Sequence, residues 1–143
     1  MIRVDLDFDA AQLTGVGRQA LAALRPRVRD AVEDSVMHLA NAIRVKVGGT
    51  GSGRMYRRTK GGRYHTASAP GQPPARDYGD YVQSWMHDMK ESDAEIEGQV
   101  GSSMWERRGR HLEDGTKRMA PRPHVVPAIE EERRAIERRL GQI

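Results

Sequence analysis

The sequence predicts a single α+β domain over residues 1–143, with a long N-terminal helix, a small antiparallel sheet and a C-terminal helix. A long basic Gly-rich loop or hairpin arm is expected to leave this body. Three observations predict the class. Apolar residues recur every three or four positions as far as residue 47, two short segments alternate apolar and polar residues, and a Pro-led segment near the end carries a narrow apolar stripe.

The first elements are a strand and a long helix. Residues 2–8 alternate apolar and charged side chains, which is typical of a half-buried strand, and Asp9 is placed to cap a helix start. Pro26 interrupts the helical stripe that follows, so either a helix begins near Pro26 or a longer helix is kinked there. Gly48 and Gly49 end the helix. The stripe consists of Leu21, Leu24, Val28, Val32, Val36, Leu39, Ile43 and Val47.

Residues 48–76 are predicted to form an extended basic arm and a Pro-rich strap. Residues 48–75 carry seven glycines and three prolines, with little apolar periodicity. The prolines at positions 70, 73 and 74 favour a stiff, extended chain over residues 68–75. The window 35–76 contains no Asp or Glu, and its basic residues are Arg44, Lys46, Arg54, Arg57, Arg58, Lys60, Arg63 and Arg76.

The core of this arm, with Arg54, Arg57, Arg58, Lys60 and Arg63, has two functional interpretations. It contacts nucleic-acid phosphates, in which case binding weakens steeply with salt. Alternatively, it docks on an acidic protein neighbour, where charge complementarity sets register and partner choice. A solvated, disordered arm and an arm that orders only upon assembly also fit the sequence. The residues alone leave these alternatives open.

The second half of the chain predicts four further elements. A turn at residues 77–80 leads into a short helix at 81–85. Residues 85–89 and 96–100 alternate across a turn at 91–93 and predict a hairpin. Residues 104–112 predict a short helix closed at Gly115. In the last helix, Pro127 suits the first helical position, and Glu130, Glu131 and Glu132 are expected in the first turn, where they complement the helix dipole.

Several classes of site are not indicated by the sequence. The chain has no cysteine, which excludes disulfides and thiolate metal sites. The glycine run 48–53 lacks the preceding strand and the Lys-Ser/Thr pair of a phosphate-binding loop. No Ser/His/Asp or paired-carboxylate arrangement stands out, and a small hydrolase would need one. We therefore expect neither an enzyme nor a cofactor or metal. The five histidines, which lack metal-ligand spacing, are His38, His65, His87, His111 and His124.

The N-terminus does not have the pattern of a signal peptide, and no apolar run approaches the length of a membrane span. We therefore expect a soluble protein. Only 37% of the residues are hydrophobic, with one Phe and two Trp, so the core is expected to be thin. Neighbouring subunits are expected to contribute much of the burial.

Two motifs carry a resemblance to a known family. The first, residues 112–123, runs on through residues 127–130, and the second is residues 68–75. Together they resemble the small neck and tail-component proteins of long-tailed bacteriophages. In that family a Leu-Glu-aromatic-Gly-Thr turn leads through a Met-Ala-Pro-Arg-Pro-type segment into a Pro-Ala-capped terminal helix. A Ser-Ala-Pro-Gly-x-Pro-Pro segment lies upstream. Asp114 and His124 replace the family's usual aromatics, and Tyr78 replaces its usual threonine.

The resemblance, which covers residues 68–140, implies a structural virion protein of the neck, for head–tail joining or tail completion. Such a protein assembles in the host cytoplasm as a ring between connector and tail tube, and six copies are favoured over twelve. Its partners would be itself and neighbouring neck, connector and tail proteins, with non-specific contact to DNA in the channel. A basic nucleic-acid-binding module and a tail terminator ring protein are the alternatives. The residues implied in docking are Leu112, Gly115, Thr116, Met119, Pro121, Arg122, Pro123, His124, Pro127, Ile129 and Ile136.

Overall fold

The computed structural model describes residues 2–4, 15–59, 61–93 and 95–143, and it confirms a mixed α+β fold. The predicted strand residues 5–8, the Asp9 cap and Lys60 lie outside the described residues. The elements in chain order are β1 (Ile2–Val4), α1 (Gly15–Val47), β2 (Met55–Arg57), β3 (Tyr64–Thr66), α2 (Asp80–Gln83), β4 (Trp85–Glu91), β5 (Ile96–Ser102), a π-helical turn (Trp105–Gly109), α3 (Arg110–Asp114) and α4 (Val125–Gly141).

Helix α1 contributes much of the buried core of the domain. Its predicted apolar stripe is buried from Val28 to Val47, whereas Leu24, near its start, is 38% exposed. The helix runs continuously through Pro26, so the alternative in which a helix begins at that proline is wrong. Gly48 follows the last helical residue, and its N–H donates to the Val45 carbonyl at 3.3 Å, which closes the final turn.

The main sheet has the strand order β1-β5-β4, and both pairings are antiparallel. The predicted hairpin of β4 and β5 is confirmed, with Trp85 opposite Ser102 and Glu91 opposite Ile96. Helix α1 packs on this sheet at Gly98, where an added Cβ would lie 2.5 Å from Val36 Cγ1. The helix can approach β5 this closely only because residue 98 has no side chain.

The substitution Gly98→Ala is therefore expected to destabilise the protein. The new methyl group would also lie 2.8 Å from Val32 Cγ1, so helix and strand must move apart. We expect the free energy of unfolding to fall by about 1–3 kcal/mol, the usual cost of overpacking a core. Urea unfolding measures this change. Gly141→Ala is the control, because a Cβ there meets nothing within 4 Å; an equal loss in both variants would contradict the packing argument.

Strands β2 and β3 form a second, two-stranded sheet within the basic segment. A long extended basic loop is not confirmed, because backbone hydrogen bonds fold the segment back on itself. Gly53 N–H donates to the Ala67 carbonyl at 2.8 Å, and Arg76 N–H donates to the Gly49 carbonyl at 2.8 Å. The hairpin therefore leaves the end of α1 and returns to it.

Helix α4 packs antiparallel to α1. Lys46 Nζ at the end of α1 lies 2.7 Å from Glu131 Oε1, near the start of α4. At the opposite end, Arg27 Nη2 donates to the Gln142 carbonyl at 2.9 Å. Val125 and Ala128 of α4 are buried in the main core, and Ile129 packs against it.

Predicted boundaries were wrong for α2, for α4 and for the helix predicted at residues 104–112, which the structure divides into the π-helical turn Trp105–Gly109 and α3 at Arg110–Asp114. Helix α4 begins at Val125, so Pro127 is its third residue, where the first turn still needs no intrahelical N–H. The glutamates at positions 130–132 consequently lie beyond the first turn, which contains no acidic residue. Helix α2 occupies Asp80–Gln83 and not residues 81–85, because Trp85 already pairs in β4. The negative charge for the start of α4 comes from another element.

Candidate functional site

The two segments that carry the family resemblance pack directly on each other. Arg122 donates from Nε to the Ser68 hydroxyl at 2.6 Å and from Nη2 to the Ser68 carbonyl at 3.0 Å. Gly71 N–H donates to the Pro121 carbonyl at 3.0 Å. One guanidinium thus binds both the side chain and the backbone of a buried serine. Segments that are far apart in the chain form one structural unit.

A tight turn leads into this unit. Thr116 and Met119 exchange backbone hydrogen bonds of 2.8 and 3.2 Å. Gly115 has a φ of +78°, and a Cβ there would lie 2.8 Å from the Met119 carbonyl oxygen, so this position requires glycine. Arg122 N–H then donates to the Leu112 carbonyl at 2.7 Å. The structure therefore brings together six of the residues predicted to dock: Leu112, Gly115, Thr116, Met119, Pro121 and Arg122.

Glu113 caps helix α4 from outside that helix. Its Oε2 accepts hydrogen bonds from the N–H groups of His124 at 2.9 Å and Val125 at 3.0 Å, and its Oε1 accepts one from Val126 at 3.0 Å. The first N–H groups of a helix have no intrahelical acceptor, and the helix dipole favours a negative charge there. A single carboxylate satisfies both requirements.

The environment of Glu113 favours its charged form. Burial alone would raise the pKa of this carboxyl group, but the His124 side chain and the three backbone N–H groups outweigh it and hold the pKa at about 2. Burial raises the pKa of Tyr81 well above its usual value, and the negative charge of Glu113 raises it further. The Tyr81 hydroxyl therefore remains protonated and available as a donor.

His124 connects these two groups and is completely buried. Its Nδ1 lies 2.9 Å from Glu113 Oε2 and 3.0 Å from the Arg122 carbonyl oxygen, and its Nε2 lies 2.6 Å from the Tyr81 hydroxyl. Both neighbours of Nδ1 are acceptors, so Nδ1 carries a proton and donates it. Nε2 then accepts from the Tyr81 hydroxyl. Glu113, His124 and Tyr81 form one buried chain of hydrogen bonds.

The His124 ring also packs among aromatic side chains. Its centroid lies 5.6 Å from that of Tyr81, 6.0 Å from that of Trp85 and 6.4 Å from that of Trp105. These distances are typical of favourable aromatic pairs. Histidine therefore occupies an aromatic position by ring packing, and it adds polar contacts that a phenyl ring lacks.

A carboxylate, an imidazole and a hydroxyl in this order also occur in nucleophilic triads. Here the carboxylate is engaged by three backbone N–H groups, His124 is 0% exposed and Tyr81 is 6% exposed. The raised pKa of Tyr81 is the opposite of what nucleophile activation requires. The arrangement therefore holds the start of α4 on the body of the domain.

The remaining predicted docking residues belong to the same region. Pro123 and Pro127 flank the start of α4 and are partly buried, and Ile129 packs on the main core. Ile136 is partly buried further along the helix. The segment before α4 and α4 itself thus dock on the body of their own chain.

The basic hairpin lies close to a negative charge in the folded chain, although its own sequence contains only positive charges. Asp77, just beyond the acid-free window, forms an ion pair with Arg58. The Arg58 guanidinium also lies over the Tyr78 ring, 4.2 Å from its centroid. Arg57 lies 5.5 Å from the Tyr64 centroid, and Arg63 lies 5.6 Å from that of Tyr78. Arg54 is exposed.

In the part of the chain that the structure describes, no group of three His, Asp or Glu side chains is arranged to hold a metal ion. None of the helices in those residues combines the length and the apolar character that a bilayer span requires.

Acid is expected to weaken this site. The pKa of Glu113 is about 2 in the folded protein against an ordinary value of 4.5, so its contribution is complete above pH 4.5 and is lost as pH falls towards 2. The difference corresponds to on the order of 3 kcal/mol for this carboxylate, whose side chain is 9% exposed. Urea unfolding between these pH values measures the loss, with Glu113→Gln as control. Parallel pH profiles of the two proteins would contradict the assignment.

Comparison of the chain with models of protein families, with curated proteins and with solved structures gives no match in any of the three. Sequence reasoning placed Arg122 and His124 in the site, but it did not identify Glu113, Ser68 or Tyr81 as their partners. Ser68 and Glu113 stand in the two motifs, so their presence there was the available signal. Tyr81 gave none beyond its place in a short amphipathic segment.

Proposed function

We propose that this chain is a structural bacteriophage virion protein of the neck, of the head–tail joining or tail-completion type. It acts as a ring subunit between connector and tail tube. The observation that supports this function is the contact of Arg122 with Ser68, which joins the two resembling segments, while Glu113 fixes the start of α4. Together the two motifs fix the position of helix α4. This role suits a protein that works by binding.

Exposed apolar side chains on the hairpin and the adjacent turn offer a surface for neighbouring subunits. Met55 is 63% exposed, Tyr64 60% and Tyr78 66%. Large apolar side chains exposed on one hairpin and the turn beside it can contribute to a protein interface. In a ring, each copy contacts the next through two different surfaces, and six copies are proposed. The partners are further copies of this chain and neighbouring neck, connector and tail proteins, assembled in the host cytoplasm.

The test is electron microscopy of particles from a phage or prophage that lacks this gene. We expect filled heads and separate tails, or heads without a functional joint. Supplying the wild-type gene in trans should restore joined particles and is the control. Intact, infectious virions from the deletion would contradict the proposal. A tail terminator would instead leave tails of irregular length, so tail length distinguishes that alternative.

A basic nucleic-acid-binding module remains the alternative from another class. Arg54, Arg57 and Arg63, which are exposed on the hairpin, favour it, whereas the pairing of Arg58 with Asp77 removes one cation. Such a module should bind duplex DNA as isolated protein, with an affinity that falls steeply with salt. A gel-shift titration at low and physiological salt tests this alternative: absence of binding would exclude a nucleic-acid-binding module, whereas a neck protein does not require this binding.

A further inference from the structure

A recess of about 210 Å³ lies between the β2–β3 hairpin, the strap, α2 and the turn before α4. It is smaller than the roughly 300–1,000 Å³ of sites for small molecules and cofactors. Its size therefore suits an inserted side chain better than a cofactor. The charged groups that line it are Arg58, Arg76, Arg108, Arg122, Asp77 and Asp80.

The positive groups in this recess exceed the negative ones. Arg58 is paired with Asp77, and within this pair Arg58 Nε and Asp77 Oδ1 are both buried without a hydrogen-bond partner among the described residues. Arg108 Nη1 lies 3.5 Å from Asp80 Oδ2, and both side chains are about half exposed to solvent. This pair therefore neutralises little of the positive charge. With four arginines against two aspartates, the recess therefore carries a net positive charge, which favours an entering anion.

The interior of the recess is partly apolar. Val47 at the end of α1, Leu112 of α3 and Met119 of the turn contribute apolar surface. The pKa of His65, which also lines the recess, is lowered by burial and then by the charges of Arg58 and Arg63. The surroundings are thus favourable to a carboxylate joined to an apolar group, and unfavourable to a cation.

We propose that this recess binds an acidic side chain, together with an adjoining apolar side chain, from a neighbouring protein subunit. Charge complementarity would fix the register of that contact and the choice of partner. An acidic peptide is favoured over a DNA backbone, because the cations surround a recess with an apolar interior and do not project from a convex surface. That the neighbour is a virion protein rests on the proposed function; the preference for a carboxylate does not.

The test is a titration of the purified full chain carrying isotope-labelled methionine methyl groups, followed by NMR. The probes are phenylpropionate and its neutral amide. Met119 lines the recess, while Met37 and Met86 are exposed elsewhere and serve as internal references. We expect a saturable shift of the Met119 signal with the carboxylate, and binding of the amide weaker by about fivefold, as for one partly exposed ion pair. No saturable shift, or equal binding of both probes, would overturn the proposal.

Two neighbouring arginines provide matched variants. Arg108 lines the recess and Arg107, next to it, does not, so Arg108→Gln and Arg107→Gln remove the same charge from the same turn. We expect carboxylate binding to weaken by about threefold or more in the first variant only. Arg76→Gln is a second variant at the rim and should weaken binding likewise. Equal binding of the carboxylate by the wild type, Arg108→Gln and Arg76→Gln would refute the assignment.

Inorganic phosphate and a short DNA duplex are titrated in parallel. Tighter binding of either than of the carboxylate, measured as the ligand concentration at half-saturation of the Met119 shift, would overturn the acidic-side-chain proposal in favour of a nucleic-acid site. These titrations use isolated protein, whereas the deletion experiment examines virions. The recess can therefore fail its test while the neck function stands, and the reverse also holds.

Discussion

Replacement of Glu113 by alanine is expected to lower the free energy of unfolding by about 4 kcal/mol. The change removes the acceptor of three N–H groups at the start of α4 and a partner of the buried His124 side chain. The His124 and Val125 residues are buried, so solvent compensates poorly for the acceptor that their N–H groups lose, whereas Val126 is 52% exposed. Urea unfolding followed by tryptophan fluorescence is suitable, because Trp85 and Trp105 pack beside His124.

The neighbouring Asp114 provides the control for this experiment. Its side chain is 69% exposed and lies 4.0 Å from Arg110, a surface pair that contributes little. Asp114→Ala should change stability by less than about 0.5 kcal/mol. If the two variants lose the same stability, Glu113 acts only through overall charge, and the capping role described above is wrong.

The second large effect is expected for His124. His124→Ala removes a completely buried ring from among three aromatic side chains and leaves the Tyr81 hydroxyl without its acceptor. We expect a loss of about 3–5 kcal/mol, the range for deleting a buried aromatic ring. The same fluorescence-detected urea titration measures it, and the fluorescence of the folded state should also change.

His124→Phe separates the two contributions of this residue. A phenyl ring retains the aromatic packing and loses the hydrogen bonds of both ring nitrogens, so its stability should lie between those of wild type and alanine. Combining it with Tyr81→Phe gives a double-mutant cycle across the contact of 2.6 Å. A zero coupling energy, with His124→Phe as stable as wild type, would show that ring packing alone matters here.

The parts of the fold that follow local periodicity were predictable from the sequence. The stripe from Val28 to Val47 specified the buried face of α1, and the alternation in residues 85–89 and 96–100 specified the hairpin. Each pattern depends only on residues within one element. The strands β2 and β3 were not predicted as separate strands from the sequence, because each has three residues and lies among glycines.

The site was only partly predictable for a related reason. The prolines and Gly115 mark a turn by their own backbone preferences, so the position of the turn could be predicted. The start of α4 at Val125 depends on Glu113, which stands outside the helix, and no local capping pattern connects residues so far apart. The partnership of Arg122 with Ser68 likewise depends on tertiary packing.

The non-local cap has a consequence for the order of folding. Helix α4 has no side-chain cap at its N-cap residue and no acidic residue in its first turn, so its own residues do not stabilise its start. It gains its acceptor only after the preceding turn has placed Glu113. The helix is thus expected to form after that turn during folding. The amide hydrogen of Val125, which is buried and bonded to Glu113, should then exchange with solvent more slowly in the wild type than in Glu113→Ala.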